Sequence, residues 1–457
     1  MQTACSRSHV GVIDTLLDRR PEQFEVSLEV SMAAARNGKS GEQVMRRLFT
    51  RCGRQVPVTT EVLVAAAGNW DGGEQLIELL CNKTEKITIN SEVLMAAAAN
   101  RKTGERVLLC LKKRFRPLDL SELKNLITPE VVVAAARNWD RGKVMGLLLN
   151  WNQDIIVTRA ILVAAAENWG SGAQLMKVLL GHPKQQHISI PREVVIAAAG
   201  NKGCGKSVME LLLEHDKALK ITPEVVVTAA GNWGNGEQVI ELLLGRISSG
   251  VLTPRVVVAA AGNWASGEEV LRLLLAKYAH SVPITNEVIA AAAGNWGSGK
   301  QVMELLIQTC GQQIRIPPEA VVAAAGSWDN GEQVLMLLLQ ECASIIPITC
   351  GALIAAARNW KSGEQVMKLL LNQVPGDLPT TPEVLVAAAA GNWGSGVRVI
   401  EFLLAQLGPN ITITRRAVTA AVRNKGSGKE VLKLFLDRHE QGLQISADLV
   451  TDIEQHL

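Results

Sequence analysis

The segment that first suggests chemistry is Gly200-Asn201-Lys202-Gly203-Cys204-Gly205-Lys206-Ser207. It fits the phosphate-cradling pattern G-x-x-x-x-G-K-[ST] at every position. That chemistry needs a strand before the loop, so that backbone N–H groups meet phosphate at the start of the next helix. Here the preceding residues are EVVIAAA, a buried-helix pattern. The same slots read GNWGSGKQ at 294–301 and RNKGSGKE at 423–430. The Gly and Lys therefore come from a repeated sequence, only Ser207 completes the match, and no acidic strand end for Mg²⁺ stands out. Nucleotide binding through 200–207 is kept only as an alternative enzymatic reading; the main reading is no enzyme and no cofactor.

Tryptophan is the second feature. Ten occur beside one Tyr and five Phe. Trp70, Trp139, Trp169, Trp233, Trp264, Trp296, Trp328, Trp360 and Trp393 share one slot, Lys202 and Lys425 take it in two other copies, and Trp151 is out of register. A stack of indoles along an edge explains the series structurally. An aromatic strip offered to a partner explains it functionally, and these nine are the candidate partner-binding residues. Paired carboxylates such as Glu237 and Glu241 read as a solvated helix face. The seven His form no metal-ligand spacing; His182 and His187 share a connecting loop, which is too little to assign a metal.

These residues sit in a tandem repeat. ITPEVVVAAAGNWGNGEQVIELLLGR starts at Ile221, LTPRVVVAAAGNWASGEEVLRLLLAK at Leu252 and ITNEVIAAAAGNWGSGKQVMELLIQT at Ile284. The Asn before the Trp slot falls at 37, 69, 100, 138, 168, 201, 232, 263, 295, 359, 392 and 424, with Ser327 in one place. An inserted segment near RFRPLDLSELKN lengthens the step from Asn100 to Asn138. Such periods are those of stacked supersecondary units. The expectation is an all-α solenoid of about 32-residue helix–loop–helix repeats, with a partial repeat over 1–25, an array over 26–444 and a C-terminal half-repeat cap over 445–457.

Within a repeat, Thr222 is the N-cap, Pro223 the first helical residue and Glu224 a favourable first-turn charge. The first helix is apolar on every side and should be buried all round. Gly231 and Asn232 should end it in the left-handed conformation. The second helix should open on a capping box, as in Ser266-Gly267-Glu268-Glu269 and Ser362-Gly363-Glu364-Gln365. It is amphipathic, with Val239, Leu242 and Leu243 facing in and Glu237, Gln238 and Glu241 facing out. Surface variation is expected at the residue after AAA and at the slot held by Glu210, Arg272, Met336 and Lys368.

Composition narrows the function classes. Apolar residues make up 47% and charged residues 20%, enough for a large core. A net charge of +3, from 47 basic and 44 acidic residues, argues against a nucleic-acid partner. No apolar run is long enough to span a bilayer, and the eight cysteines lack disulfide or CxxC spacing. A cytoplasmic protein with free thiols and no membrane partner is expected.

The run T-P-x-x-x-x-A-A…V-x-x-L-L resembles an ankyrin repeat, without its T-P-L-H histidine, with a longer inter-helix loop and with no following hairpin. The AAAGNWGSG core resembles, across nearly the whole chain, short helical repeats of large fungal proteins that often carry ankyrin repeats or a NACHT-type domain upstream. That resemblance implies a protein-binding scaffold or sensor array, the C-terminal recognition part of a fungal NLR-like protein. A structural spacer without a ligand is the other non-enzymatic reading.

Overall fold

The computed structural model describes Cys5, Thr15 and residues 26–84, 88–114, 120–182, 189–278, 281–311, 314–341, 346–374, 379–408 and 411–457. Apart from Cys5 and Thr15, the partial repeat expected over 1–25 lies outside them. All regular elements among these residues are helices, with one isolated bridge at Thr412–Gln444. The chain forms two compact units, residues 1–220 and 221–457.

In the first unit the inner helices are α1 (Leu28–Arg36), α3 (Thr60–Ala67), α5 (Ser91–Ala99), α8 (Pro129–Ala136), α10 (Arg159–Glu167) and α12 (Arg192–Gly200). The outer helices are α2 (Gly41–Cys52), α4 (Gly73–Lys83), α6 (Gly104–Arg114), α9 (Lys143–Trp151), α11 (Gly172–Leu180) and α13 (Gly205–His215). The insertion forms a short helix, α7 (Leu120–Leu126), while α5 still packs on α8.

In the second unit the inner helices are α14 (Pro223–Ala230), α16 (Pro254–Ala261), α18 (Asn286–Gly294), α20 (Pro318–Gly326), α22 (Cys350–Arg358), α24 (Pro382–Ala390) and α26 (Arg415–Arg423). The outer helices are α15 (Gly236–Leu243), α17 (Gly267–Tyr278), α19 (Gly299–Cys310), α21 (Gly331–Glu341), α23 (Gly363–Leu371), α25 (Gly396–Leu407) and α27 (Gly428–His439). A last helix, α28 (Ala447–His456), packs on α26 and α27. Within each unit, inner helices stack on inner helices and outer on outer. This is the expected α-solenoid.

The core lies between the two layers. In α14, Val225, Val226, Ala229 and Ala230 are fully buried; in α15, Val239, Ile240 and Leu243 are. Each buried Val or Leu contributes roughly 1.5–3 kcal/mol. The inner helices are not buried all round. Positions equivalent to Glu224, Val227, Thr228 and Gly231 keep a partly exposed stripe on every inner helix of the unit. The layer is covered by its neighbours on three sides only, and the fourth carries Ala and Gly together with half-buried Val227, Val258, Val322 and Ile354.

Helix ends also differ from expectation. Thr222 has the extended N-cap backbone, but its hydroxyl caps no N–H. It donates instead to Glu224 at 3.2 Å. The same pairing of Thr128 with Glu130 holds the Glu130 carboxyl below its usual value. Ser27, Asn90, Thr349 and Thr414 do cap their helices. The capping box does not form at Ser362, whose φ of −115° and ψ of 20° lie outside the extended N-cap region. Nor do Gly231 and Asn232 turn left-handed: Gly231 has φ −82°, and Arg141 is the only non-glycine with positive φ among the described residues.

The repeated asparagine ends the inner helix instead. Asn295 is buried; its Nδ2 donates to the Ala261 carbonyl at 2.8 Å and the Asn263 carbonyl at 3.0 Å, both in the preceding repeat. Its Oδ1 accepts from the N–H groups of Gly297 and Ser298. Thus one amide satisfies two carbonyls freed at a helix end and organises its own loop. Asn69, Asn100, Asn168, Asn201, Asn392 and Asn424 repeat both donor bonds.

Serine at 327 interrupts this ladder. Its buried hydroxyl has no partner, and Asn330 reaches the Trp296 and Gly297 carbonyls instead, each at 2.7 Å. Ser327→Asn should restore donors to the Ala293 and Asn295 carbonyls and raise stability by about 1 kcal/mol. A thermal or urea melt reads the change, and a lower midpoint would show that the slot cannot take the amide.

One loop is a residue shorter. Asn138 and Val144 are six positions apart, where other copies have seven, as in Asn263 to Val270. Arg141 and Gly142 take φ of 63° and 78° to close it. Asn138 Oδ1 loses its loop partners, and Asp140 caps α9 through the N–H groups of Gly142 and Val144. Burial raises the Asp140 carboxyl above its ordinary range against those bonds.

Candidate interaction surfaces

Each Trp in the shared slot follows the buried asparagine, or Ser327 in the case of Trp328, and projects from the loop between inner and outer helix. The nine range from 36% exposed at Trp296 to 64% at Trp393. In the second unit Trp233, Trp264, Trp296, Trp328 and Trp360 form a continuous column. Successive ring centroids lie 5.5, 4.7, 5.5 and 5.1 Å apart, at interplanar angles of 17° to 39°. Such pairs add about 0.5–1.5 kcal/mol each beyond burial. The column is thus both a stack and an exposed edge.

In two copies of the first unit a cation takes the slot and covers a neighbouring ring. Arg101 lies 4.5 Å from the Trp139 centroid, and Lys202 lies 5.0 Å from that of Trp169. Ion pairs join the same loops of successive repeats, Lys102–Asp71 in the first unit and Lys361–Asp329 in the second. Trp151 stands elsewhere, buried at the end of α9, with Lys112 over its ring at 5.0 Å.

The phosphate-cradling match has another role. Helix α12 precedes it, and Asn201 Oδ1 already accepts the N–H groups of Gly203 and Cys204 at 3.0 and 2.9 Å. Those are donors a phosphate would need. His182 is buried with its Nδ1 unpaired, while His187 lies outside the described residues. Among the described residues no three metal-ligating side chains come together, the cysteines are free thiols, and no helix is long and apolar enough to cross a membrane.

One family model matches the chain thirteen times, over 16–45, 48–76, 79–107, 126–145, 147–176, 184–209, 211–239, 242–270, 273–303, 305–334, 337–367, 369–399 and 402–431. Its description is "Domain of unknown function (DUF7104)". The chain belongs to that family. Each DUF7104 match covers an inner helix and the start of the outer helix that follows it, and so spans the loop that carries the Asn and the Trp slot. No curated protein matches the chain.

Two crystal structures of the pentatricopeptide repeat protein PPR10 in complex with an 18-nt psaJ RNA element are similar to the DUF7104 array; one carries three Cys-to-Ser substitutions. Each is 14% identical, with a TM-score of 0.39, covering 94% of this chain and 67% of the other. They correct the exclusion of nucleic acid drawn from charge balance, since the protein they hold is bound to RNA. Net charge sums over a long chain and is blind to local cations such as Arg416 and Arg423 on α26. What PPR10 binds is a property of that protein.

Proposed function

We propose that this DUF7104 array is a protein-binding scaffold whose partner is read along the Trp edge. One observation carries the reading: five consecutive indoles are stacked into a rigid column and still left 36–47% exposed. A preformed aromatic surface loses little freedom on binding, and Trp is favoured where interfaces concentrate their energy. The resemblance to fungal repeats that follow NACHT or ankyrin segments supports a place as the recognition part of a longer cytoplasmic protein.

Affinity capture with mass spectrometry tests this, using the full chain beside a Trp264→Lys/Trp296→Lys variant. Lys occupies the same slot at 202 and 425, so the exchange is one the repeat already accepts. Proteins held by the unchanged chain and released by an equally stable variant would support the edge. Equal capture by both would remove the edge from the interface. Capture of nothing by either would favour a spacer.

A further inference from the structure

The inner-helix face of the second unit carries a groove of about 750 Å³, away from the Trp column's central rings. Its floor is apolar and shallow: Ile354 of α22, and Val384, Ala387 and Ala388 of α24. Val384 is 39% exposed, unusual for an aliphatic residue in so apolar a helix. The small alanines let a docked backbone come close. Arg358, at the end of α22, and Arg416, at the start of α26, stand at its borders. Neither has an ion pair or hydrogen bond among the described residues. Arg415 beside them is held by Asp448 and Asp452 of α28, at 2.7 and 3.0 Å.

Both free cations break the repeat. The Arg358 slot is Gly in five copies of the unit, at 231, 262, 294, 326 and 391. The Arg416 slot, eight residues before the repeated Asn, holds Glu224, Glu287 and Glu319, with Arg255, Gly351 and Val384 in the remaining three. Two charge departures, in different repeats and at opposite helix ends, thus meet on one apolar groove. Desolvating apolar surface beside unpaired guanidinium groups favours a ligand with aliphatic side chains and flanking carboxylates.

We propose that this groove docks an acidic amphipathic helix of a protein partner, its aliphatic stripe on Val384, Ala387 and Ala388 and its carboxylates on Arg358 and Arg416. Adjacent packed helices lie about 8–10 Å apart, so α22 to α26 spans about 20 Å. A helix of about thirteen residues is that long. Glu383, at the start of α24, repels carboxylates from the middle of the groove and directs them to its two ends. Single-stranded RNA fits less well, because the groove offers no aromatic side chain on which a base could stack. The inference rests on the scaffold reading but uses a face other than the Trp edge.

The test is fluorescence anisotropy with the full chain and a labelled helix-forming peptide of about sixteen residues, with one Leu stripe flanked by Glu. A counterpart carries Lys for each Glu, and a single-stranded oligouridylate is the third probe. The acidic peptide should bind, and the Lys peptide should not. Arg358→Gly with Arg416→Glu restores the common residues of the repeat, so the fold is kept; binding should weaken by about tenfold or more. Val384→Asp should also weaken it, whereas Trp264→Lys/Trp296→Lys should leave it unchanged, which separates this groove from the edge. No binding of the acidic peptide, equal binding by the double Arg variant, or equal binding of the Lys peptide would overturn the proposal. So would an oligouridylate affinity that alone depends on the two arginines.

Discussion

Asn295→Ala should destabilise the second unit by about 3 kcal/mol, more than any surface change in the same loop. The side chain is buried and uses both ends of its amide. Its loss strips the Ala261 and Asn263 carbonyls of a donor and the Gly297 and Ser298 N–H groups of an acceptor. Each buried group left unpaired costs about 1–3 kcal/mol, and water reaching the loop recovers part of it. Ser298 Oγ lies within reach of the Asn263 carbonyl and covers one loss in part. Asn295→Asp is the sharper variant: it keeps the acceptor but removes both donors and sets a carboxylate against two carbonyls. A urea melt with hydrogen exchange on α18 and α19 reads both. An alanine variant within about 0.5 kcal/mol of the parent would mean that the ladder contributes nothing to cohesion.

Gly331→Ala should cost about 2–3 kcal/mol, while Gly262→Ala should be nearly neutral. The chemical change is the same; the space differs. A Cβ on Gly331 would lie 2.2 Å from the Ala324 carbonyl oxygen, because the start of α21 crosses close over the end of α20. The two helices of the repeat would have to separate. A Cβ on Gly262 would meet the Val258 oxygen at 3.3 Å, and its slot is held elsewhere by Ala99, Arg137 and Glu167. Gly262 has φ −82°, which any residue adopts. Melting midpoints of the two variants decide the matter, and equal losses would trace the cost to backbone flexibility instead of contact.

The architecture was legible because it is written in periods. The 3.6-residue pattern of EQVIELLL, the Thr-Pro-Glu starts and the recurrence of AAAGN place both helices without reference to anything distant. What escaped was whatever depends on the neighbouring repeat. Asn looked like a local helix-end residue, yet its donors act one repeat away. Ser362 looked like a capping residue, but its backbone is not extended there. The left-handed turn expected at Gly231 is unnecessary once Asn232 Oδ1 takes the N–H groups of Gly234 and Asn235. The short loop was countable from the spacing of Asn138 and Val144. The groove cations were visible as departures at 358 and 416, though only the fold brings those two positions to one face.

The asparagine ladder also has a direction in time. Its Nδ2 groups reach back to carbonyls of an earlier repeat, as Asn69 reaches Ala35 and Asn424 reaches Ala390. A chain leaving the ribosome folds from its N-terminal side as it grows. Each new asparagine therefore emerges with its acceptors already made and in place on the repeat before it. Within each unit, synthesis delivers the donor to a waiting template, and no loop has to remain open for a partner not yet translated.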